Sequence, residues 1–151
     1  MPKGVIVACD VSDSNTLLDV VKATSSVRGV AGYKLGFQLS LRCSLPFLVE
    51  SIRREAPSAQ IIYDHQKAGN DIPDMGVRFA EACKAAGVDS VILFPLAGPV
   101  TQEAWTKACQ DAGLKVIVGG NMTHKKFVTT DGGYVDWASQ IASISWLRQW
   151  E

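Results

Sequence analysis

Unbroken apolar runs alternate along the chain with stretches whose apolar positions recur at helical spacing. Val5–Cys9 predicts a buried strand, and the polar cluster Ser12–Asn15 offers capping oxygens to a helix over about Thr16–Ser26. Tyr33–Phe37 predicts a second strand, followed by a helix of apolar and basic residues that ends near Ala56-Pro57. Ile61–Asp64 predicts a third strand. Met75–Ala86 has the spacing of a helix, and Gly87 suits the position just past its end. Ser90–Phe94 predicts a fourth strand. Thr101 can cap a helix that runs to Ala112, with Gly113 as the stop, and Lys115–Val118 predicts a fifth strand. Gly132-Gly133 breaks the chain before a last helical stretch, Tyr134–Trp150.

An internal repeat supports these assignments. Glu81-Ala-Cys-Lys-Ala-Ala-Gly-Val-Asp-Ser-Val-Ile-Leu recurs in outline as Lys107-Ala-Cys-Gln-Asp-Ala-Gly-Leu-Lys-Val-Ile-Val. Cys83 aligns with Cys109 and Gly87 with Gly113, both offset by 26 residues (109 − 83 and 113 − 87). A helix, a glycine stop and an apolar strand at a fixed interval form βα units around a parallel sheet. Two architectures fit. A (β/α)8 barrel needs about 200–250 residues. A five-stranded doubly wound sheet fits the 151 residues better, but a nucleotide binder of that kind wants a glycine-rich turn after its first strand. The turn here is Asp10-Val-Ser-Asp-Ser.

Composition narrows the function. The chain is 47% hydrophobic and 20% charged, which is ordinary for one globular domain spanning residues 1–151. Fifteen basic residues balance fifteen acidic ones, so no basic excess points to nucleic acid or a membrane surface. Apolar runs fall far short of the ~20 residues of a membrane span, and Met-Pro-Lys-Gly carries no secretory pattern. The four cysteines, Cys9, Cys43, Cys83 and Cys109, are widely spaced in apolar surroundings, as expected of reduced thiols in a cytoplasmic protein.

Charged residues gather where strands end. The first strand ends in Asp10 and the second carries Lys34. The third ends in Asp64, followed by His65, Gln66, Lys67 and Asp71, and Asn121, Met122 and Thr123 follow the fifth. Charges abutting apolar strands are costly unless paired, and alternating lysines and carboxylates supply the pairing. In a barrel these ends converge on one mouth. A lysine held among carboxylates stays protonated and can deliver a proton to a carbanion.

Tyr63-Asp-His-Gln-Lys-Ala-Gly-Asn-Asp-Ile-Pro resembles the D-x-K-x-x-D-I-P signature of the orotidine 5′-monophosphate decarboxylase family. Cys9-Asp10 resembles that family's first strand end, Gly32-Tyr-Lys-Leu-Gly its second-strand lysine motif, and Asn121-Met-Thr the place where a Ser or Thr contacts the pyrimidine. The resemblance implies a (β/α)8 TIM-type barrel, here incomplete with about five βα units. It also implies a homodimer that converts orotidine 5′-monophosphate to UMP in pyrimidine biosynthesis, with no cofactor and no metal. By the same resemblance, Asp10 would bind the ribose, and Lys34 would orient the network and touch the ribose. Asp64 would sit beside the substrate carboxylate, and Lys67 would protonate the C6 carbanion. Asp71 would reach into the partner subunit's site, Ile72 would line that pocket, and Thr123 would contact the base.

The chain departs from that pattern twice. The family spaces its Asp and Lys by two residues and its Lys and second Asp by three, whereas here the spacings are three (64 to 67) and four (67 to 71). A bulge or wider loop would absorb the extra residues, with His65 and Gln66 as alternatives to Lys67 for the inward position. The family's phosphate-gripping loops follow strands seven and eight, so the expectation is a truncated form. Two other functions compete. One is a magnesium-dependent sugar-phosphate decarboxylase or aldolase of the same superfamily, which would want a glutamate where Lys34 stands. The other is a catalytically inactive shortened barrel. His65 and His124 lie in polar segments without metal-ligand spacing, Lys125-Lys126 is most simply a solvated pair, and Trp137, Trp146 and Trp150 are core or interface anchors.

Overall fold

A computed structural model describes residues 4–65, 68–119 and 122–136. Five strands, β1 (Val5–Cys9), β2 (Val30–Gly36), β3 (Gln60–Asp64), β4 (Ser90–Leu93) and β5 (Lys115–Val118), pair in parallel in the order of the sequence. Helices α1 (Ser14–Thr24), α2 (Phe37–Arg42) and α3 (Leu45–Glu55), then α4 (Met75–Ala85) and α5 (Pro99–Asp111), fill the connections. A doubly wound sheet reverses its strand order and carries helices on both faces. Here the order never reverses, and one face takes the helices. Cys9, Tyr33, Leu35, Ile61, Val91 and Leu93 are fully buried in one cluster with Leu17, Val21, Leu48, Ile52, Cys83, Trp105 and Cys109 of the helices. Their neighbours in the strands point the other way: Ala8 is exposed, Lys34 and Ile92 half-buried, and Ile117 44% exposed. A sequential parallel sheet with a single helical layer is the wall of a (β/α)8-type barrel, five units of it.

The 26-residue repeat is physically real. Gly87 and Gly113 adopt φ of 82° and 76°, a left-handed backbone that costs glycine little. Each closes its helix alike, Gly87 N–H donating to Lys84 O and Val88 N–H to Cys83 O, Gly113 N–H to Gln110 O and Leu114 N–H to Cys109 O. The next residues start the ladder: Asp89 N–H donates to Ile61 O and Lys115 N–H to Asp89 O. Asp89 also accepts from Ile61 N–H and from Arg53, both at 2.7 Å, which fastens β3 to β4 at the end of the sheet away from the charged residues.

Several expected boundaries move. The first helix starts at Ser14 because Asp13, in extended backbone, caps it by accepting Thr16 N–H at 2.9 Å. β2 stops at Gly36, and Phe37 opens α2 rather than ending the strand. The single helix expected up to Ala56 is two, since Pro46 has no N–H to continue an incoming helix and starts α3 instead. Thr101 does not cap α5. Gly98 at φ 107° and Pro99 at the first helical position take that role, leaving Thr101 buried in the first turn. No helix starts at Tyr134, because Gly132 and Gly133 fold the chain back so that Val135 bridges Val128. Trp137, Trp146 and Trp150 lie outside the described residues. No helix among the described residues is long and apolar enough to cross a membrane.

α4 and α5 meet where Gly76 faces Trp105: a Cβ there would stand 2.9 Å from the Trp105 backbone and 3.0 Å from its ring. Gly76→Ala should therefore destabilise the fold by about 1–3 kcal/mol through overpacking. Urea denaturation measures it, and an unchanged midpoint would contradict the packing described.

Candidate active site

The C-terminal ends of β1, β2 and β3 carry Asp10, Lys34 and Asp64. In-register pairing sets Lys34 beside Ala8 and Ile62, and Asp64 beside Gly36, one pleat further toward the strand ends. Both side chains thus project from the face that the helices leave open. Lys34 Nζ donates to Asp64 Oδ2 at 2.8 Å and lies 3.5 Å from Asp10 Oδ1. The two carboxylates differ in setting. Asp64 is buried, with a side chain 9% exposed, whereas Asp10 stands at the rim at 66%. The other oxygen of Asp64, Oδ1, is buried and has no hydrogen-bond partner among the described residues. A buried carboxylate oxygen calls for a donor, whether from the protein, from water or from a ligand.

These residues line a cavity of about 230 Å³ together with Cys9, Val11, Gly36, Phe37, Gln38 and Leu39. α2 forms one wall, a contribution the sequence analysis missed. The available signal was Gly36, at which a Cβ would approach Asp10 Oδ1 to 3.0 Å, so a side chain there would crowd the carboxylate. Burial pushes the Cys9 thiol up to about 11, Asp10 adds to this and Lys34 opposes it, so Cys9 is a neutral wall and not a nucleophile. Burial alone would pull the Lys34 amine down, but the hydrogen bond and charge of Asp64, and then Asp10, outweigh it and raise it above its ordinary 10.5. Lys34 is a fixed ammonium clamped between two carboxylates.

The other expected site residues are distributed as follows. His65 turns away from the cavity: its Nδ1 lies 2.9 Å from the Tyr63 hydroxyl, which also meets Ser40 Oγ at 3.2 Å. Gln66, Lys67 and Asn121 lie outside the described residues. Asp71 is exposed on the β3–α4 loop and accepts its neighbour's N–H, from Ile72, at 2.7 Å. Ile72 is 61% exposed, and neither residue lines the cavity. Thr123 is exposed and does not line it either. Lys34, Asp64 and Asp10 are therefore brought together, while Asp71, Ile72 and Thr123 stand apart from them. Among the described residues no group of three or more His, Cys, Asp or Glu side chains is arranged to hold a metal ion.

No protein-family model matches the chain, and no curated protein matches it significantly. Solved structures do. An orotidine 5′-monophosphate decarboxylase from Methanocaldococcus jannaschii superposes with a TM-score of 0.71 at 24% identity, over 87% of this chain and 60% of that one. An orotidine 5′-phosphate decarboxylase from Lactobacillus acidophilus gives 0.72 at 19%, over 94% and 65%. One from Pyrococcus horikoshii gives 0.65 at 22%, over 80% and 53%. At these identities the likeness establishes the fold, an incomplete barrel of the kind those enzymes use. The chain spans between 53% and 65% of the length of these structures.

The raised Lys34 has a consequence for stability. A group whose folded pKa exceeds its unfolded one stabilises fully below the unfolded value and loses that contribution as pH rises through the folded value. As pH rises above the ordinary lysine value of 10.5, the unfolding free energy of the wild type should fall more steeply than that of Lys34→Met, whose residue 34 cannot titrate. Parallel pH profiles from urea melts would contradict the ion-pair assignment.

Proposed function

We propose that this chain carries the reacting part of an orotidine 5′-monophosphate decarboxylase, acting in pyrimidine biosynthesis without metal or cofactor. The observation that carries the reading is the Lys34 ammonium between Asp10 and Asp64 at the strand ends, with a buried Asp64 oxygen that has no partner among the described residues. The reaction breaks the bond between C6 and the carboxylate, leaves the electron pair on C6 and replaces carbon dioxide with a proton. Lys34 holds the Asp64 carboxylate in place through a 2.8 Å hydrogen bond. Asp64 then presents negative charge to the substrate carboxylate, a charge that disappears as carbon dioxide leaves. Interactions that favour the transition state over the ground state are the ones that accelerate the step. Lys67 stabilises the developing carbanion and supplies the proton. Asp10, exposed at the rim, binds the ribose hydroxyls with Lys34, and Thr123 contacts the pyrimidine.

Asp71 and Ile72 act across a homodimer, each completing the partner subunit's site. Their exposure, and their absence from the lining of their own chain's cavity, support that assignment. The lysine at position 34 favours this reaction over the magnesium-dependent one: an ammonium 2.8 Å from Asp64 occupies the place where a metal-binding relative needs a carboxylate.

Ultraviolet-monitored loss of orotidine 5′-monophosphate tests the proposal. The purified protein should turn it over and bind UMP, and Lys67→Ala and Asp64→Ala should each lower kcat by at least about a hundredfold, the scale of losing a proton donor or a preorganised charge. Absence of both turnover and UMP binding would remove the enzymatic reading. Full activity in Lys67→Ala would assign the proton to another residue.

A further inference from the structure

The loop between β3 and α4 is one residue longer between Lys67 and Asp71 than the family pattern, and its described residues are held by several bonds. His65 O accepts the Ala68 N–H at 2.7 Å, and Gly69 takes φ 88° against Pro95, where a Cβ would come within 3.2 Å. Asn70 follows. Its Nδ2 donates to Phe94 O at 2.7 Å and its Oδ1 accepts the Leu96 N–H at 2.9 Å. Both ends of one carboxamide are thus used on the backbone of the β4–α5 loop. Three further bonds run from the same βα unit: Phe94 N–H to Ala68 O at 2.9 Å, Thr101 Oγ to Asp71 O at 3.3 Å, and Trp105 Nε1 to Ile72 O at 3.1 Å. The loop contributes only backbone carbonyls to those three; Asn70 supplies the side chain of the clamp.

We propose that Asn70 is a positioning residue: it locks the β3–α4 loop onto the β4–α5 loop and so sets where the Asp71 carboxylate stands. The inference rests on the proposed role of Asp71, but the clamp itself does not. A carboxamide fits because it alone offers a donor and an acceptor side by side to the Phe94 C=O and the Leu96 N–H, which also bond each other at 2.8 Å across Pro95. Aspartate keeps the acceptor for Leu96 N–H but sets a carboxylate against the Phe94 carbonyl. Alanine removes both bonds and leaves no buried group behind, since Asn70 is exposed, so Asn70→Ala should fold.

The test compares the full-length wild type with Asn70→Ala and Asn70→Asp by three measurements. Amide hydrogen exchange at Leu96 should speed by at least about tenfold in Asn70→Ala, and by less in Asn70→Asp. The 13C resonance of the Asp71 carboxyl should move or broaden in Asn70→Ala, a readout that needs no turnover. With orotidine 5′-monophosphate, kcat should fall by about ten- to a hundredfold with a far smaller change in KM, as for a misplaced but present catalytic group. Unchanged Leu96 exchange would overturn the clamp. Faster exchange with an unmoved Asp71 resonance, or with unchanged kcat, would overturn the positioning role. A wild type without turnover would instead count against the decarboxylase reading, leaving the clamp to be decided by exchange and the Asp71 resonance.

Discussion

The structure depends on burial of one face of a parallel sheet. Tyr33, Leu35, Ile61, Val91 and Leu93 are sealed against the helices with no exposed surface. Side chains alternate along a strand, so that seal directs Lys34, Ile62, Asp64 and Ile92 to the other face. A doubly wound sheet would bury both faces and make a lysine in mid-strand prohibitively expensive. In a barrel wall the inner face opens at the strand ends to a solvated mouth, and a lysine there needs only local partners. The same alternation turns Tyr63 and His65 away from the cavity and Asp64 into it.

The Lys34–Asp64 pair contributes little to stability that apolar residues could not supply, because taking two charges out of water costs about as much as their attraction returns. What the pair provides is a fixed arrangement of charge. Asp64 is buried deeply enough for its charge to act at low screening, and Asp10 is exposed enough to exchange water for a ligand. Neutralising Lys34 would leave Asp64 unpaired in that setting, so the pair persists as a unit.

Much of this was legible in the sequence because it follows from periodicity and from residue types with few alternatives. The five strands, the paired glycine stops at Gly87 and Gly113, and the grouping of Asp10, Lys34 and Asp64 all rest on such signals. The misplacements also have physical causes. Thr101 is a good capping residue, but Gly98-Pro99 forms a better helix start two residues earlier, and the threonine hydroxyl serves Asp71 instead. The wall formed by α2 was hidden because Phe37 continues the apolar run of β2 while its backbone has already turned helical. The clamp at Asn70 was illegible because its partners, Phe94 and Leu96, are 24 and 26 residues away and take part through backbone atoms, which leave no trace in residue type.

That hidden clamp bears on how a stretched motif can keep its chemistry. An added residue ordinarily loosens a loop, since each ordered residue costs about 1–2 kcal/mol of backbone entropy. Here Gly69 adopts a positive φ cheaply, and the two hydrogen bonds of Asn70 fasten the loop immediately afterwards. Beyond it, Trp105 and Thr101 hold the carbonyls of Ile72 and Asp71 from a buried helix face. The segment carrying Asp71 is referenced to α5. A charged group borne on α5 through the loop moves with the barrel wall.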